Sequence, residues 1–187
     1  MSFDLDPGRI QQLLDELDHR LREADVAATL YLVGGAAISL YLPGSGRRTH
    51  DIDGITNEAA VARVVAEMAD DLGLPEGWLN GAARPFVPTP PAGALDAPPA
   101  AGLHVELAPM EHLLAMKLAA GRARDRGDIV ALSTALGVDA EAAVQMTLDA
   151  YGVDVLEVFT SVDDVRDEAD LSILQAHRPP PPAETPG

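Results

Sequence analysis

ATLYLVGGAAISLYLPGSGRRTHDIDGIT, residues 28–56, decides the reading of this chain. ATLYLV (28–33) is a short apolar run stopped by Gly34-Gly35, the pattern of a buried strand running into a tight turn. AAISLYL, after the glycines, is apolar and free of proline, and predicts a short helix that ends at Pro43-Gly44-Ser45-Gly46. THDIDGIT (49–56) alternates polar and apolar residues and predicts a second strand. On such a strand residues i and i+2 share a face, with Cα atoms about 6.6 to 6.8 Å apart, so Asp51 and Asp53 stand side by side with Thr49 one step before them.

Outward from that stretch the elements follow in order. Ile10, Leu13, Leu14, Leu17 and Leu21 recur at helical spacing behind Asp6-Pro7, which predicts a capped amphipathic helix over 7–24. Asn57 is placed to cap a helix carrying Val61, Val64, Val65, Met68 and Leu72. Residues 85–102, rich in Pro, Ala and Gly, predict a long loop. LHVEL (103–107) predicts a third strand, and from Pro109 the chain reads as helices over 109–123, 125–136, 139–151 and about 162–176. The tail RPPPPAETPG (178–187) is expected to stay disordered or polyproline-like. The fold class is therefore α+β: a sheet-bearing core over 1–108, a helical region over 109–177 that completes the site, and the tail over 178–187.

Bulk properties narrow the function. The 187 residues are 47% hydrophobic and 23% charged, which is ordinary for a globular protein. No cysteine is present, which removes disulfides, thiolate chemistry and cysteine-based zinc sites. No run approaches the roughly 18 to 20 apolar residues of a membrane span, and the N-terminus lacks a secretory pattern, so a cytoplasmic protein without a membrane partner is expected. The net charge of −17 argues against a general duplex-DNA binder. Positive charge is nonetheless gathered beside the motifs, at Arg47 and Arg48, at Arg84, and along Lys117, Arg122, Arg124 and Arg126. An acidic body with one local positive site suits a phosphate-bearing ligand.

Four features carry chemistry. Asp51 and Asp53 repel unless a cation offsets them, and could converge on magnesium or manganese; alone, they are equally a solvated pair at a strand edge. Gly34 and Gly35 permit close approach of a phosphate to backbone N–H groups at a helix start, or form nothing more than a tight turn. Glu106, inside LHVEL, either completes a three-carboxylate metal site or faces solvent beside His104. Lys117 sits amid Leu113, Leu114, Met116 and Leu118, with Arg122 and Asp128 further on, and either offers its ammonium to a phosphate or belongs to a solvated helix end. Lys117 and Asp128 lie on one helical face but about 16 Å apart along an unbroken helix, so a break near Gly121 or Gly127 is needed to unite them. In this order the features match what metal-dependent nucleotidyl transfer requires: carboxylates for the metal, a glycine turn for the β and γ phosphates, and cations such as Arg48, Lys117 and Arg122 for the leaving pyrophosphate.

LVGGAAISLYLPGSGRRTHDIDGIT (32–56) resembles the Gly-Gly … T-x-D-x-D signature of minimal nucleotidyltransferases of the polymerase-β-like superfamily. HLLAMKLAAGRARDRGDI (112–129) and GWLN (77–80) resemble the AbiEii/MenT-like toxin branch. The resemblance implies a small mixed-sheet nucleotidyltransferase core, with Asp51 and Asp53 as metal ligands. It implies Gly34, Gly35 and Lys117 on the nucleotide phosphates and Asp128 as a distal carboxylate that positions Lys117, Arg122 or the substrate. It further implies an NTP substrate, the 3′ end of tRNA as acceptor, and a cognate antitoxin, in some relatives a kinase acting at the position of Thr49. A phosphate there would add about −1.5 to −2 charge beside the carboxylates. Two departures are evident: residue 35 is Gly where many superfamily members carry Ser, and an acidic chain of this length offers little grip on a whole tRNA. Three other readings stand beside the toxin: transfer to a small molecule or a protein hydroxyl, a catalytically silent nucleotide-binding module, and a plain α+β interaction protein.

Overall fold

The computed structural model describes residues 3–174; the Pro-rich tail (178–187) and the end of the helical region expected to reach 177 lie outside the described residues. Helix α1 (Pro7–Glu23) starts as its sequence predicts: the Asp6 carboxylate accepts from the Arg9 N–H at 2.8 Å, and proline occupies the first turn. Its five apolar residues, Ile10 to Leu21, are all buried. Strand β1 (Ala27–Val33) follows and is mostly apolar because it is one of the two inner strands of the sheet, buried on both faces. Gly34, at φ +62°, turns the chain directly into helix α2 (Gly34–Tyr41).

Strand β2 (Ile52–Ile55) returns antiparallel to β1, with Val33 opposite Asp53 and Tyr31 opposite Ile55. It is shorter than the expected 49–56. Thr49 instead makes an isolated bridge with Leu5, so the segment before Asp51 is tied to the N-terminus and not to the sheet. Helix α3 (Ala60–Leu72) begins three residues after Asn57, which does not cap it. A two-residue strand β3 (Leu79–Asn80), too short to show any periodicity, pairs parallel with β2. Within the long loop that composition predicts for 85–102, a 3₁₀ turn over Arg84–Phe86 is followed by irregular chain over 87–101. Strand β4 (Gly102–Leu107) pairs parallel with β1, completing a mixed sheet in the order β3-β2-β1-β4.

From here the described chain is helical: α4 (Met110–Ala120), α5 (Arg126–Leu136), α6 (Ala140–Tyr151), the short α7 (Val153–Leu156), and α8 (Val162–Ala169), which runs into a π-type turn over Asp170–Leu174. Asp139 and Ser161 cap α6 and α8. Sheet and helices share one hydrophobic core, in which Leu13, Leu30 and Ile52 belong to the same cluster as Leu113, Leu132 and Val144. The α+β class and its mixed sheet are therefore as expected. No single helix among the described residues is long and apolar enough to cross a membrane.

Candidate active site

Gly34 and Asp53 meet where β1 gives way to α2. A Cβ on residue 34 would lie 2.5 Å from Asp53 Oδ2, so glycine is required both by the left-handed backbone and by the carboxylate packed against it. No side chain caps α2, which leaves its first N–H groups open to an anion. The space in front of Gly35 is taken by the Arg47 guanidinium and the Thr49 hydroxyl, each 2.8 Å from where a Cβ would sit. This accounts for glycine where many superfamily members carry serine: the room for a serine side chain is already filled.

Asp51 precedes β2 and is held from the side. Asn80 Nδ2 donates to its carboxylate at 3.3 Å and to the Gly77 carbonyl at 3.1 Å, while Asn80 Oδ1 accepts from the Ala82 N–H. Trp78 anchors this strand: its ring is buried, its indole N–H donates to the Val65 carbonyl, and its own carbonyl accepts from the Ile52 N–H. The GWLN segment thus clamps the carboxylate strand in place. Burial, joined by repulsion from Asp51, pushes the Asp53 carboxyl up to about 6, against the opposing pull of Lys117 and Arg122.

Facing them is a network built across the break between α4 and α5. Gly121, at φ +56°, ends α4 in the left-handed conformation, and a 3₁₀ turn over Ala123–Asp125 redirects the chain. As a result Lys117 Nζ reaches Asp128 Oδ2 at 2.9 Å and Asp125 Oδ1 at 2.7 Å. The break lies at Gly121; Gly127 is inside α5. Arg47 adds a third cation–carboxylate contact, donating to Asp128 Oδ2 at 2.8 Å. All four side chains are at least three-quarters buried, at 9 to 21% exposure. Two cations and two carboxylates so placed fix one another and cancel in charge.

These walls enclose a cleft of about 730 Å³, in the size range of small-ligand sites. Gly34, Gly35, Arg48, Thr49, Asp51, Asp53, Lys117 and Arg122 all line it, as do Arg124 and Asp125. Asp128 does not; it sits behind Lys117 and Arg47 as a positioning residue. Glu106 is not brought to the cleft. It shares the sheet face of Asp53, but it pairs with Tyr31 on the far side of β1 and two residues along from Val33, the partner of Asp53. Its carboxylate lies 3.5 Å from His104 and is 44% exposed. Of the two readings open for Glu106, the geometry matches the solvent-facing one, because the side chain does not line the cleft. Among the described residues no group of three His, Cys, Asp or Glu side chains is gathered for a metal.

Sequence reasoning also passed over four features. Asp125 stands only three residues before Asp128, so a turn at Gly121 carries both toward Lys117. Arg47 differs from Arg48 in nothing the sequence shows. Asn80 reaches Asp51, and the aromatic residues Phe86, Tyr151 and Phe159 reach the cleft, through long-range packing that no local pattern announces.

Residues 8–173 match the family described as nucleotidyltransferase of unknown function (DUF6036). The chain belongs to that family. Nucleotidyl transfer is thus the activity class of this fold. The family description names no acceptor. No curated protein and no solved structure matches the chain.

Proposed function

We propose that this protein transfers a nucleotide from a nucleoside triphosphate to an acceptor hydroxyl in a reaction that depends on magnesium or manganese. The observation that carries this reading is the convergence of Asp51 and Asp53 with the open α2 N-terminus and Lys117 in one cleft. Two carboxylates, one of them buried and destabilised by the other, are a donor set that fits a hard divalent cation completing its shell with phosphates and water. Bound at Asp51 and Asp53, the cation would polarise the α-phosphate and neutralise its oxygens.

The chain's own groups supply the rest. The N–H groups at the start of α2, which no side chain caps, receive phosphate oxygens, and the glycines at 34 and 35 let Asp53, Arg47 and Thr49 pack against that turn. Lys117 Nζ donates to Asp125 and ion-pairs with Asp128, and its remaining donor capacity faces the nucleotide. The exposed Arg122 and Arg48 meet charge on the departing group. The acceptor oxygen bonds to the α-phosphorus, the bond to the β-phosphate bridging oxygen breaks, pyrophosphate leaves, and the hydroxyl proton passes to water in the open cleft.

The resemblance to AbiEii/MenT-like toxins supports the tRNA 3′ end as acceptor and a toxin–antitoxin setting, with Thr49 the position an antitoxin kinase would modify. Thr49 is 9% exposed and its hydroxyl fills the space before Gly35, so a phosphate there would displace Arg47 as well as repel nucleotide. The net charge of −17 favours a second reading, a small-molecule or protein acceptor. Incubation with tRNA, magnesium and each α-labelled nucleoside triphosphate separates them. Label at the RNA 3′ end with the wild type, and at least about 100-fold less with Asp51→Ala, is the expected result. Label on no RNA, with magnesium-dependent nucleotide binding retained, transfers the reading to another acceptor or to a silent module.

A further inference from the structure

The chain has only three Phe, three Tyr and one Trp, yet Phe86, Phe159 and Tyr151 all line the cleft. They pack edge to face, Phe86 against Phe159 at 6.1 Å with the rings 87° apart, and Tyr151 against Phe159 at 5.2 Å and 71°. In a T-shaped pair one ring offers its edge to the other's face, so at least one face of Phe86 stays uncovered by Phe159. Phe86 is 50% exposed, unusual for a side chain of its size.

Its position is nevertheless fixed. The Tyr151 hydroxyl donates to the Phe86 carbonyl at 2.6 Å, and burial pushes that phenol up, so it remains a donor. On the other side of the turn, Arg84 donates to the Thr56 carbonyl, fastening the 3₁₀ segment to the end of β2. A half-exposed aromatic ring on an anchored backbone, set edge to face with Phe159, is a partly preorganised stacking platform at a cleft wall.

The same cleft carries Arg122 and Arg124, both exposed and neither with an ion-pair partner among the described residues. Lys117 and Arg47, by contrast, are neutralised by Asp125 and Asp128. A ligand that complements the whole cleft therefore combines a flat π-face with several negative charges. We propose that Phe86, backed by Phe159 and Tyr151, is the subsite for the base of the nucleoside triphosphate, with Arg122 and Arg124 serving its phosphates. This assignment rests on the nucleotidyltransferase reading of the cleft. Because every base has a π-face, the platform predicts tolerance of base identity.

Calorimetric binding of the four nucleoside triphosphates and of inorganic tripolyphosphate, each with magnesium, tests it. Phe86→Leu should weaken all four nucleotides by roughly 5- to 100-fold, the range that loss of one base–aromatic stack gives. Tripolyphosphate, which has no base, should bind the variant as it binds the wild type, and Phe86→Trp should restore the nucleotides. The substitution leaves the Tyr151 bond intact, because that bond goes to the backbone. Nucleotide affinity unchanged in Phe86→Leu, or an equal loss for tripolyphosphate, overturns the base subsite while leaving the transferase reading in place. A wild-type protein that binds neither nucleotide nor tripolyphosphate removes that reading and the subsite together.

Discussion

At residue 34 two constraints coincide: a backbone φ of +62°, and an Asp53 oxygen 2.5 Å from where a Cβ would be placed. Gly34→Ala therefore adds left-handed strain of about 1 to 2 kcal/mol and forces the carboxylate aside. The expected outcome is a Tm lowered by roughly 2 to 8 °C, together with loss of the stabilisation expected from magnesium and nucleotide on the proposed function. Thermal melts with and without these ligands measure both effects. A variant that keeps full ligand-induced stabilisation would show that Asp53 does not need its present position. The Asp53 carboxylate and the glycine were legible in the sequence because turn and strand are both local. Asp51's tie to Asn80 was not, since it depends on a strand of only two residues.

Among the elements, the joint between α4 and α5 deserves a quantitative test. Lys117 is buried against two carboxylates, so its removal strips both Asp125 and Asp128 of a partner. Lys117→Met is expected to cost about 3 to 5 kcal/mol of stability, more than a solvated helix face would, in addition to weakening nucleotide binding. Asp125→Asn should cost less, because Lys117 keeps Asp128. In the double variant the two losses should fall short of their sum by about 1 to 2 kcal/mol, as for groups that act through one contact. Denaturant melts of the four proteins give this cycle, and simple additivity would show that the pair is not coupled.

A second joint ties α5 to α8. Arg126 donates to both Glu168 oxygens, at 2.9 and 3.3 Å, and Ser172 in the π-type turn donates to one of them. The Arg126 hydrogen bonds hold the Glu168 carboxyl below its ordinary 4.5, outweighing burial. A carboxyl lowered by folding contributes stability above its unfolded value and loses it as pH falls through the folded one. The stability gap between wild type and Glu168→Gln should accordingly hold steady from neutral pH to 4.5 and close below it. Urea melts across that range are the measurement, and a gap that persists well below that point would remove Glu168 from the acid response.

Elements of this kind also show where sequence reading stops. The helices α1, α4, α5 and α6 were legible from periodicity, and the break that unites Lys117 with Asp128 was legible from Gly121. The placing of Glu106 was not. Alternation puts it on one face with His104, but which residue of β1 it opposes is a matter of register, set by contacts between strands far apart in the sequence.

For the whole molecule, one continuous core joins the sheet half to the helical half, and the cleft takes side chains from both. The chain should then unfold as a single cooperative unit. Trp78, the only tryptophan, is buried in the sheet half, whereas far-UV ellipticity is dominated by helices, most of them in the second half. Thermal transitions followed by Trp fluorescence and by ellipticity are expected to superimpose. Transitions separated by several degrees would divide the chain into two units near residue 108. The aromatic corner belongs to this scale as well: Phe86, Tyr151 and Phe159 meet only because the two halves are packed together.

The neutral quartet of Arg47, Lys117, Asp125 and Asp128 has a consequence for how the cleft behaves in salt. Its charges are shielded from solvent and satisfied by each other, so ions in solution reach them poorly. The positive charge left for a ligand's phosphates resides largely on exposed arginines, where the screening length shrinks from about 10 Å at 0.1 M to about 3 Å at 1 M. Fold and proposed function are thereby expected on opposite sides of the ionic-strength scale: concentrated salt should release a bound nucleotide from a cleft whose walls remain assembled.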